Sequence, residues 1–217
     1  MSTTTEYSVE LKGLVKYFGR RLIFEDLNYK FASGSIYGVS GPNGSGKSTL
    51  VKIISNLIAP TRGKVIQLSG NKEIEPEKLH DFTGFVSPYL FLYDEFTAEE
   101  NLIHFTAIRG DKYNQEKADF LFSELNLLDR KRDPVRGYSS GMKQRLKYIF
   151  ALIHNPRLLI LDEPTSNLDN SGKEKVYSLI ADQMKENLVI IASSDNPDLA
   201  LCSAVLQLEN YKKRVPL

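Results

Sequence analysis

The chain has a single cysteine, Cys202, among its 217 residues, which excludes an internal disulfide bond. Residues 1–5 show neither the basic nor the apolar stretch of a secretory signal. No uninterrupted apolar run approaches the roughly 20 residues that a helix needs to cross a bilayer. Together these absences predict a cytoplasmic protein, whose attachment to any membrane would depend on another chain.

An excess of charge of one sign is also missing, because 28 lysines and arginines balance 27 aspartates and glutamates. The net charge of +1 gives no indication of an acidic membrane or of nucleic acid, so nucleic acid is not an expected partner. With 41% hydrophobic and 25% charged residues, the chain is predicted to be globular. Its length suffices for the core of a single domain over residues 1–217, with or without a lobe.

A glycine-rich segment, residues 41–49, has the pattern G-x-x-x-x-G-K-[ST] and follows a short apolar run at 36–39. Glycines in such a loop let backbone N–H groups point at phosphate oxygens, the lysine supplies positive charge for the outer phosphates, and the next serine offers a hydroxyl to Mg²⁺. A flexible turn is the alternative, which the flanking strand and helix disfavour. The predicted nucleotide-binding residues are Gly41, Pro42, Asn43, Gly44, Ser45, Gly46, Lys47, Ser48 and Thr49.

Hydrophobic periodicity predicts an α/β fold around this loop. Alternating stretches at 9–15 and 22–31 predict an antiparallel hairpin, whereas apolar runs at 158–161 and 188–192 predict buried parallel strands. Helical spacing predicts a separate lobe over about 97–140. Further strands are predicted at 64–68, 82–86 and 205–208, and further helices at 47–58, 140–155 and 170–185.

The apolar run at 158–161 ends in two acidic residues, Asp162 and Glu163. The carboxyl end of a strand is where α/β sheets place their ligands. Asp162 is suited to holding Mg²⁺, directly or through water, and Glu163 is suited to orienting or deprotonating the water that attacks a γ-phosphate. Taken alone, two acidic residues after an apolar strand are as typical of a solvated loop as of a ligand site. Together with the phosphate loop, it predicts a catalytic site.

Residues 138–145, Tyr-Ser-Ser-Gly-Met-Lys-Gln-Arg, lie shortly before this strand. With these three elements the chain resembles, over essentially its whole length, the ATP-binding subunits of ABC transporters. The resemblance implies ATP and Mg²⁺ as ligands, and a P-loop NTPase core with a mostly parallel sheet, an N-terminal antiparallel β subdomain and an inserted α-helical lobe. Residues 166–169 fall at the family's D-loop.

The family's signature loop corresponds here to Ser139 and Gly141. The resemblance implies that these residues face the γ-phosphate of a nucleotide held by a second subunit, because a helix N-terminus attracts anions. The family pattern is Leu-Ser-Gly-Gly-Gln, from which Tyr138, Ser140 and Met142 depart. Ser139 or Ser140 can also act as an ordinary helix N-cap, which is compatible with that role.

Aromatic residues occur at two positions that the resemblance makes informative. Phe18 falls where the family stacks a ring on adenine, with Tyr17 as the second choice and a core aromatic as the alternative. The resemblance also places the groove for a membrane subunit at an aromatic segment between the sheet and the lobe. The alternative for this segment is local core packing. Its residues are Tyr89, Phe91, Tyr93 and Phe96.

Two side chains of the family pattern are absent. The glutamine that helps to hold Mg²⁺ is replaced by Pro88, and the histidine that contacts the γ-phosphate is replaced by Ser194. Loss of one well-placed donor costs about 10²–10³ in turnover. The sequence therefore predicts normal ATP binding with slow hydrolysis, in which Glu163 and Ser194 line the reacting phosphate. Water or a neighbouring residue restoring the contact is the alternative.

The resemblance implies an ATPase that powers transport as a homodimer or heterodimer with a second ABC ATPase. A polytopic permease subunit would hold the pair at the inner face of the cell membrane. The chain ends at Leu217 without a regulatory extension, which favours an export system. A nucleotide-binding regulatory subunit with negligible hydrolysis is one alternative. A soluble relative acting on DNA or ribosomes is another, which this length disfavours.

Overall fold

The computed structural model describes residues 6–212, which form two β-sheets and seven α-helices. The strands are β1 (Tyr7–Phe18), β2 (Arg21–Ala32), β3 (Ser35–Ser40), β4 (Arg62–Ser69), β5 (Lys72–Glu73), β6 (Thr83–Val86), β7 (Leu158–Asp162), β8 (Leu188–Ala192) and β9 (Ala204–Gln207). The helices are α1 (Lys47–Ile54), α2 (Leu79–Phe82), α3 (Ala98–Ile108), α4 (Gln115–Glu124), α5 (Ser140–Leu152), α6 (Asn170–Met184) and α7 (Asn196–Leu199).

The central sheet has five strands in the order β6-β7-β8-β3-β9, and every neighbouring pair is parallel. All residues of β7 and β8 are buried. Their continuous apolar composition fits this position, because a parallel sheet covered on both faces has no polar side. The carboxyl ends of β3, β7 and β8 therefore meet at one edge of the sheet.

The second sheet is antiparallel, with the strand order β2-β1-β4-β5. Alternate residues of β1 and β2 point into the core, where Val9, Leu14, Phe24 and Phe31 are fully buried. Strands β4 and β5 follow the phosphate loop in the chain, so this sheet is not built from the N-terminal segment alone. The mixed α/β fold with a mostly parallel sheet is confirmed.

The helical lobe comprises α3 and α4, which pack against α5. Helix α3 begins with a capping box: Thr97 Oγ1 accepts from the Glu100 amide at 3.1 Å, and the Glu100 carboxylate accepts from the Thr97 amide at 2.8 Å. Leu102 and Phe122 are fully buried and belong to the same apolar cluster as Ile149 of α5. The lobe thus shares its core with the helix that follows residues 138–139.

Several predicted boundaries were wrong. Helix α1 ends at Ile54 instead of 58, because the next residues form a turn with Asn56 in the left-handed region at φ 60°. Helix α5 ends at Leu152 instead of 155, before Asn155, which has φ 55°. The short elements α2, α7 and β5 carry too few residues for a periodic signal. Residues 1–5 and 213–217 lie outside the described part, and the single-domain assignment stays a prediction.

Within residues 6–212, none of the helices combines the length and the apolar character that a bilayer-spanning helix requires.

Helix α5 approaches β6 so closely that only glycine fits at Gly84. A Cβ atom there would overlap the carbonyl oxygen of Ala151 and lie 3.0 Å from Cγ of Pro156. The backbone of α5 would have to shift, so we expect Gly84→Ala to lower the free energy of unfolding by about 1–3 kcal/mol or more, measured by urea denaturation.

Gly137→Ala is the matched control for this prediction. A Cβ atom at Gly137 meets nothing within 4 Å, so its effect should stay within about 0.5 kcal/mol. Equal urea midpoints for the two variants would contradict the close approach of α5 to β6.

Candidate nucleotide site

The phosphate loop connects β3 to α1, and its last residue before the helix is Gly46. Gly46 has φ 111°, in the region that favours glycine, and a Cβ atom there would overlap Cγ2 of Ile23. Gly41 and Gly44 also have positive φ values, 150° and 76°. The glycines therefore permit a loop backbone that other residues would strain.

Lys47, the first residue of α1, is 5% exposed and folds back over the loop. Its Nζ donates a hydrogen bond to the Gly41 carbonyl oxygen at 2.9 Å. The same ammonium lies 3.6 Å from Oε1 of Glu163, beyond the end of β7. A positive charge is thus held between the loop and one of the two acids that the sequence singled out.

Ser48 and Asp162 form the second contact between α1 and β7. Ser48 Oγ donates to Oδ1 of Asp162 at 2.8 Å, and Asp162 is fully buried. Burial raises the pKa of Asp162, against the Ser48 hydrogen bond and the charges of Lys52 and Lys47. The other oxygen, Oδ2, is buried and has no hydrogen-bond partner among residues 6–212.

This oxygen arrangement fits Mg²⁺. Magnesium prefers hard oxygen ligands and binds proteins through one or two carboxylates together with substrate phosphates. Oδ2 of Asp162 is a buried acceptor that needs a partner, and the Ser48 hydroxyl beside it is a second oxygen. Ser48 and Asp162 are therefore the residues that would hold the ion.

Glu163 adopts φ 51°, which is uncommon for a residue other than glycine, and its amide donates to the Ala192 carbonyl oxygen at 2.8 Å. Its carboxylate is partly exposed, and Oε2 lies 3.4 Å from Oγ of Ser193. Burial raises the pKa of Glu163, while the Lys47 charge opposes the shift. The turn after β7 thus presents a carboxylate with raised basicity next to Lys47.

A buried polar network behind Glu163 was not predicted from the sequence. The Asp198 carboxylate, 1% exposed, accepts hydrogen bonds from Thr165 Oγ1 at 2.9 Å, Tyr177 Oη at 2.8 Å and Ser193 Oγ at 2.8 Å. These donors come from the turn after β7, from α6 and from the end of β8. Because they are far apart in the chain, no local spacing could have indicated them.

A cleft of about 430 Å³ brings most of the predicted residues together. It is lined by Asn43, Gly44, Gly46, Lys47, Ser48 and Thr49, and by Phe18, Arg21, Ile23, Tyr89 and Glu163. Phe18 is 51% exposed, and the Lys16 ammonium lies 4.8 Å from its ring centroid. Arg21, which the sequence did not single out, donates to the Gly44 carbonyl oxygen at 3.3 Å.

Seven predicted site residues are not among those that line this cleft: Gly41, Pro42, Ser45, Ser139, Gly141, Asp162 and Ser194. Ser139 is exposed at the start of α5, where its hydroxyl accepts from the Met142 amide at 3.2 Å as an N-cap. Ser194 is exposed and lines a neighbouring groove with Gly41 and Pro42. Ser193, one residue earlier, is the serine that lies close to Glu163.

A family model described as ABC transporter matches residues 24–166, more than half of the chain. The chain belongs to the ABC transporter family. The matched region includes the phosphate loop, α5, Asp162 and Glu163. The resemblance to ABC ATP-binding subunits is thereby confirmed, and the chain is an ABC ATP-binding domain. The roles of its individual site residues stay predictions.

Relatives of this ABC domain are named as ATP-binding proteins of transporters. An uncharacterised ABC transporter ATP-binding protein of Bacillus subtilis (strain 168) is 33% identical over 189 residues, 87% of this chain and 61% of the relative. A lantibiotic transport ATP-binding protein of Streptococcus pyogenes is 33% identical over 186 residues, 86% of this chain and 79% of the relative. The chain thus spans less than two thirds of the Bacillus protein's length.

A solved structure has the same fold. A putative ABC transporter ATP-binding protein from Pyrococcus furiosus superimposes with a TM-score of 0.80 at 25% sequence identity, covering 95% of this chain and 100% of that one. The two-sheet architecture with its helical lobe is therefore that of an ABC ATP-binding domain.

The unpartnered oxygen of Asp162 leads to a prediction about metal dependence. We expect Asp162→Asn to weaken ATP binding in the presence of Mg²⁺ by at least about tenfold, because the amide has lost the charge that attracts the ion. In EDTA, the variant and the unsubstituted chain should bind ATP alike. Isothermal titration with and without Mg²⁺ measures both quantities.

Asp94→Asn serves as the control for this measurement. Asp94 is an exposed carboxylate paired with Lys143 at 2.7 Å, away from the cleft. An Asp162→Asn variant that keeps the full Mg²⁺ enhancement would exclude Asp162 as a ligand.

Proposed function

We propose that this chain is the ATP-binding and ATP-hydrolysing component of an ABC transporter and that it works as one of a pair of such domains. The observation that carries the proposal is that Lys47, Ser48 and Glu163 line one cleft, and that the buried Asp162 contacts Ser48 directly behind it. A cation, a hydroxyl and two carboxylates with different surroundings are the groups that phosphoryl transfer to water requires.

Each of these groups has a separate task in the proposal. Lys47 exchanges its contact with the Gly41 carbonyl for the outer phosphates of ATP, and the loop amides hold the remaining phosphate oxygens. Phe18 stacks on adenine at the exposed end of the cleft. Ser48 and Asp162 would hold Mg²⁺, which would neutralise phosphate charge. Glu163 orients the attacking water and accepts its proton.

The position of Ser139 and Gly141 supports the proposed pairing of two domains. They lie at the exposed N-terminus of α5, outside the cleft of their own chain. In the proposal they complete the γ-phosphate site of a second ABC ATPase, identical or not. Because ATP then contacts both domains only in the closed pair, binding stabilises that state and hydrolysis reopens it.

A polytopic membrane subunit is the second proposed partner, and it would hold the pair at the inner face of the cell membrane. The aromatic segment between β6 and α3 supports this, because its rings are exposed instead of packed in the core. The exposed fractions are 71% for Tyr89, 94% for Phe91, 65% for Tyr93 and 38% for Phe96. An exposed apolar patch of this kind is typical of protein interfaces.

Slow hydrolysis is part of the proposal. Pro88 has no side-chain donor, and Ser194, which lines the groove beside Gly41 of the phosphate loop, carries a hydroxyl that is shorter than the imidazole of the family pattern. The reacting phosphate would therefore lack two polar contacts while Glu163 remains. A regulatory subunit without turnover is the alternative that these same two positions support.

The role of Glu163 is tested by Glu163→Gln, which keeps the size of the side chain and removes its basicity. We expect ATP turnover to fall by about 10²–10⁴-fold while ATP affinity stays within a small factor, because Glu163 acts on water. Phosphate release and fluorescent-nucleotide titration measure the two quantities.

Lys47→Ala is the comparison for Glu163→Gln, since it should abolish ATP binding itself. Turnover that survives Glu163→Gln unchanged would remove Glu163 from the mechanism. ATP affinity that survives Lys47→Ala would contradict the proposed function as a whole.

Ser194→His tests the explanation for slow hydrolysis. If a missing imidazole limits the reaction, turnover of the purified chain should rise, by up to about 10²–10³-fold. Asn196→His is the control, because Asn196 lines the same groove as Ser194. No gain in Ser194→His, or an equal gain in both variants, would refute the explanation. No turnover in any of them would favour the regulatory alternative.

A further inference from the structure

Lys147 of α5 is a buried lysine that the proposed function does not use. It is 8% exposed, and its Nζ donates to the carbonyl oxygens of Ser87 at 3.0 Å and Pro88 at 2.9 Å. Among the ion pairs of residues 6–212, none involves Lys147. Its ammonium is therefore held by backbone groups of one short segment.

This arrangement has an energetic cost. Desolvation lowers the pKa of Lys147, since burial disfavours the charged form. A buried ammonium without a carboxylate is tolerated only where good acceptors offset the lost hydration. The two carbonyl groups supply that offset, so the position of Lys147 and the position of residues 87–88 depend on each other.

The segment that Lys147 holds is a tight turn. The Leu90 amide donates to the Ser87 carbonyl oxygen at 3.2 Å, and the Tyr89 amide donates to Ser87 Oγ at 3.3 Å. Pro88 is the second residue of the turn, a position that proline favours because its ring fixes φ near the value that the turn requires. The turn at 87–90 is thus stiff, and Lys147 fastens it to α5.

The turn carries Tyr89 into the nucleotide cleft. Nζ of Lys52 lies 4.9 Å from the centroid of the Tyr89 ring, within the range of a cation–π contact. Lys52 is on α1, one helical turn beyond Ser48. A continuous path of contacts therefore leads from α5 through the turn and Tyr89 to Lys52, on the helix that also carries Ser48.

We propose that Lys147 is a positioning residue that couples the helical lobe to the nucleotide cleft. Because α5 begins beside Ser139, engagement of that end by the partner's nucleotide would displace α5, and Lys147 would carry the displacement to Tyr89. Coupling is reciprocal, so ATP in the cleft also biases the position of α5. The inference rests on the proposed function, since it concerns the same ATP site.

A tryptophan at position 89 can report on this coupling. The chain has no tryptophan, so Tyr89→Trp introduces a single emitting indole at the cleft and keeps an aromatic face for Lys52. In this background, Lys147→Met removes the ammonium but keeps a long stem, and Lys147→Arg keeps the charge and the donors. Lys143→Met is the control on the same helix, where Lys143 pairs with Asp94 at 2.7 Å.

We expect saturating ATP to change the emission of Trp at position 89, and Lys147→Met to remove most of that change. ATP affinity of the single domain should stay within about twofold, because the phosphate loop is intact. Affinity measured at protein concentrations that allow pairing should fall by about tenfold, within the usual range of coupling between sites. Lys147→Arg should restore the response, and Lys143→Met should leave it unchanged.

A full emission response in folded Lys147→Met would overturn the inference. If that variant does not fold, hydrogen exchange of the unsubstituted chain decides the question: ATP should protect residues 87–90 and α5 together, and protection of the turn without α5 would refute the coupling. Failure of the unsubstituted chain to bind ATP would instead refute the proposed function. The two failures are therefore distinguishable.

Discussion

The site depends on one contact, in which two neighbouring residues at the start of α1 meet two neighbouring residues at the end of β7. Strands β3 and β7 are not adjacent, because β8 lies between them. The start of α1 must therefore reach past the end of β8, which is held to β3 up to the hydrogen bond from the Ser193 amide to the Val39 carbonyl oxygen at 3.2 Å. The contact is also incomplete by itself, because one buried oxygen of Asp162 lacks a partner in the described region. A cation at this point would thus stabilise both the ligand and the fold.

The central sheet separates two apolar clusters, and successive side chains of β7 belong alternately to one cluster and the other. Leu159 and Leu161 pack in the cluster that contains α5 and the helical lobe, whereas Leu158 and Ile160 pack in the cluster that contains α1 and the antiparallel sheet. Side chains on successive residues of a strand point to opposite faces. Asp162 is therefore the last residue of a strand that is packed on both faces, which limits how far its carboxylate can move from Ser48.

The parts of this molecule that could be predicted from sequence are those whose chemistry lies in adjacent residues. The phosphate loop, the acids at 162–163 and the apolar runs of β7 and β8 each carry their signal locally. The Asp198 network does not, because Thr165, Tyr177 and Ser193 meet only in the folded chain. The end of α1 was wrong for a related reason: apolar residues continue beyond Ile54, but a left-handed Asn56 ends the helix regardless.

At Pro88, where the family pattern has a glutamine, the polar contact is made by the backbone. Proline has neither a backbone donor nor a polar side chain, so its carbonyl is its only polar group. That carbonyl accepts from Lys147, on the side of the helical lobe, while the next residue, Tyr89, lines the cleft. Where the resemblance expects one glutamine side chain that helps to hold Mg²⁺, Pro88 contacts α5 through its carbonyl and Tyr89 lines the cleft. The proposed coupling between lobe and cleft does not require fast hydrolysis, since the coupling needs a stiff turn and hydrolysis needs donors at the phosphate.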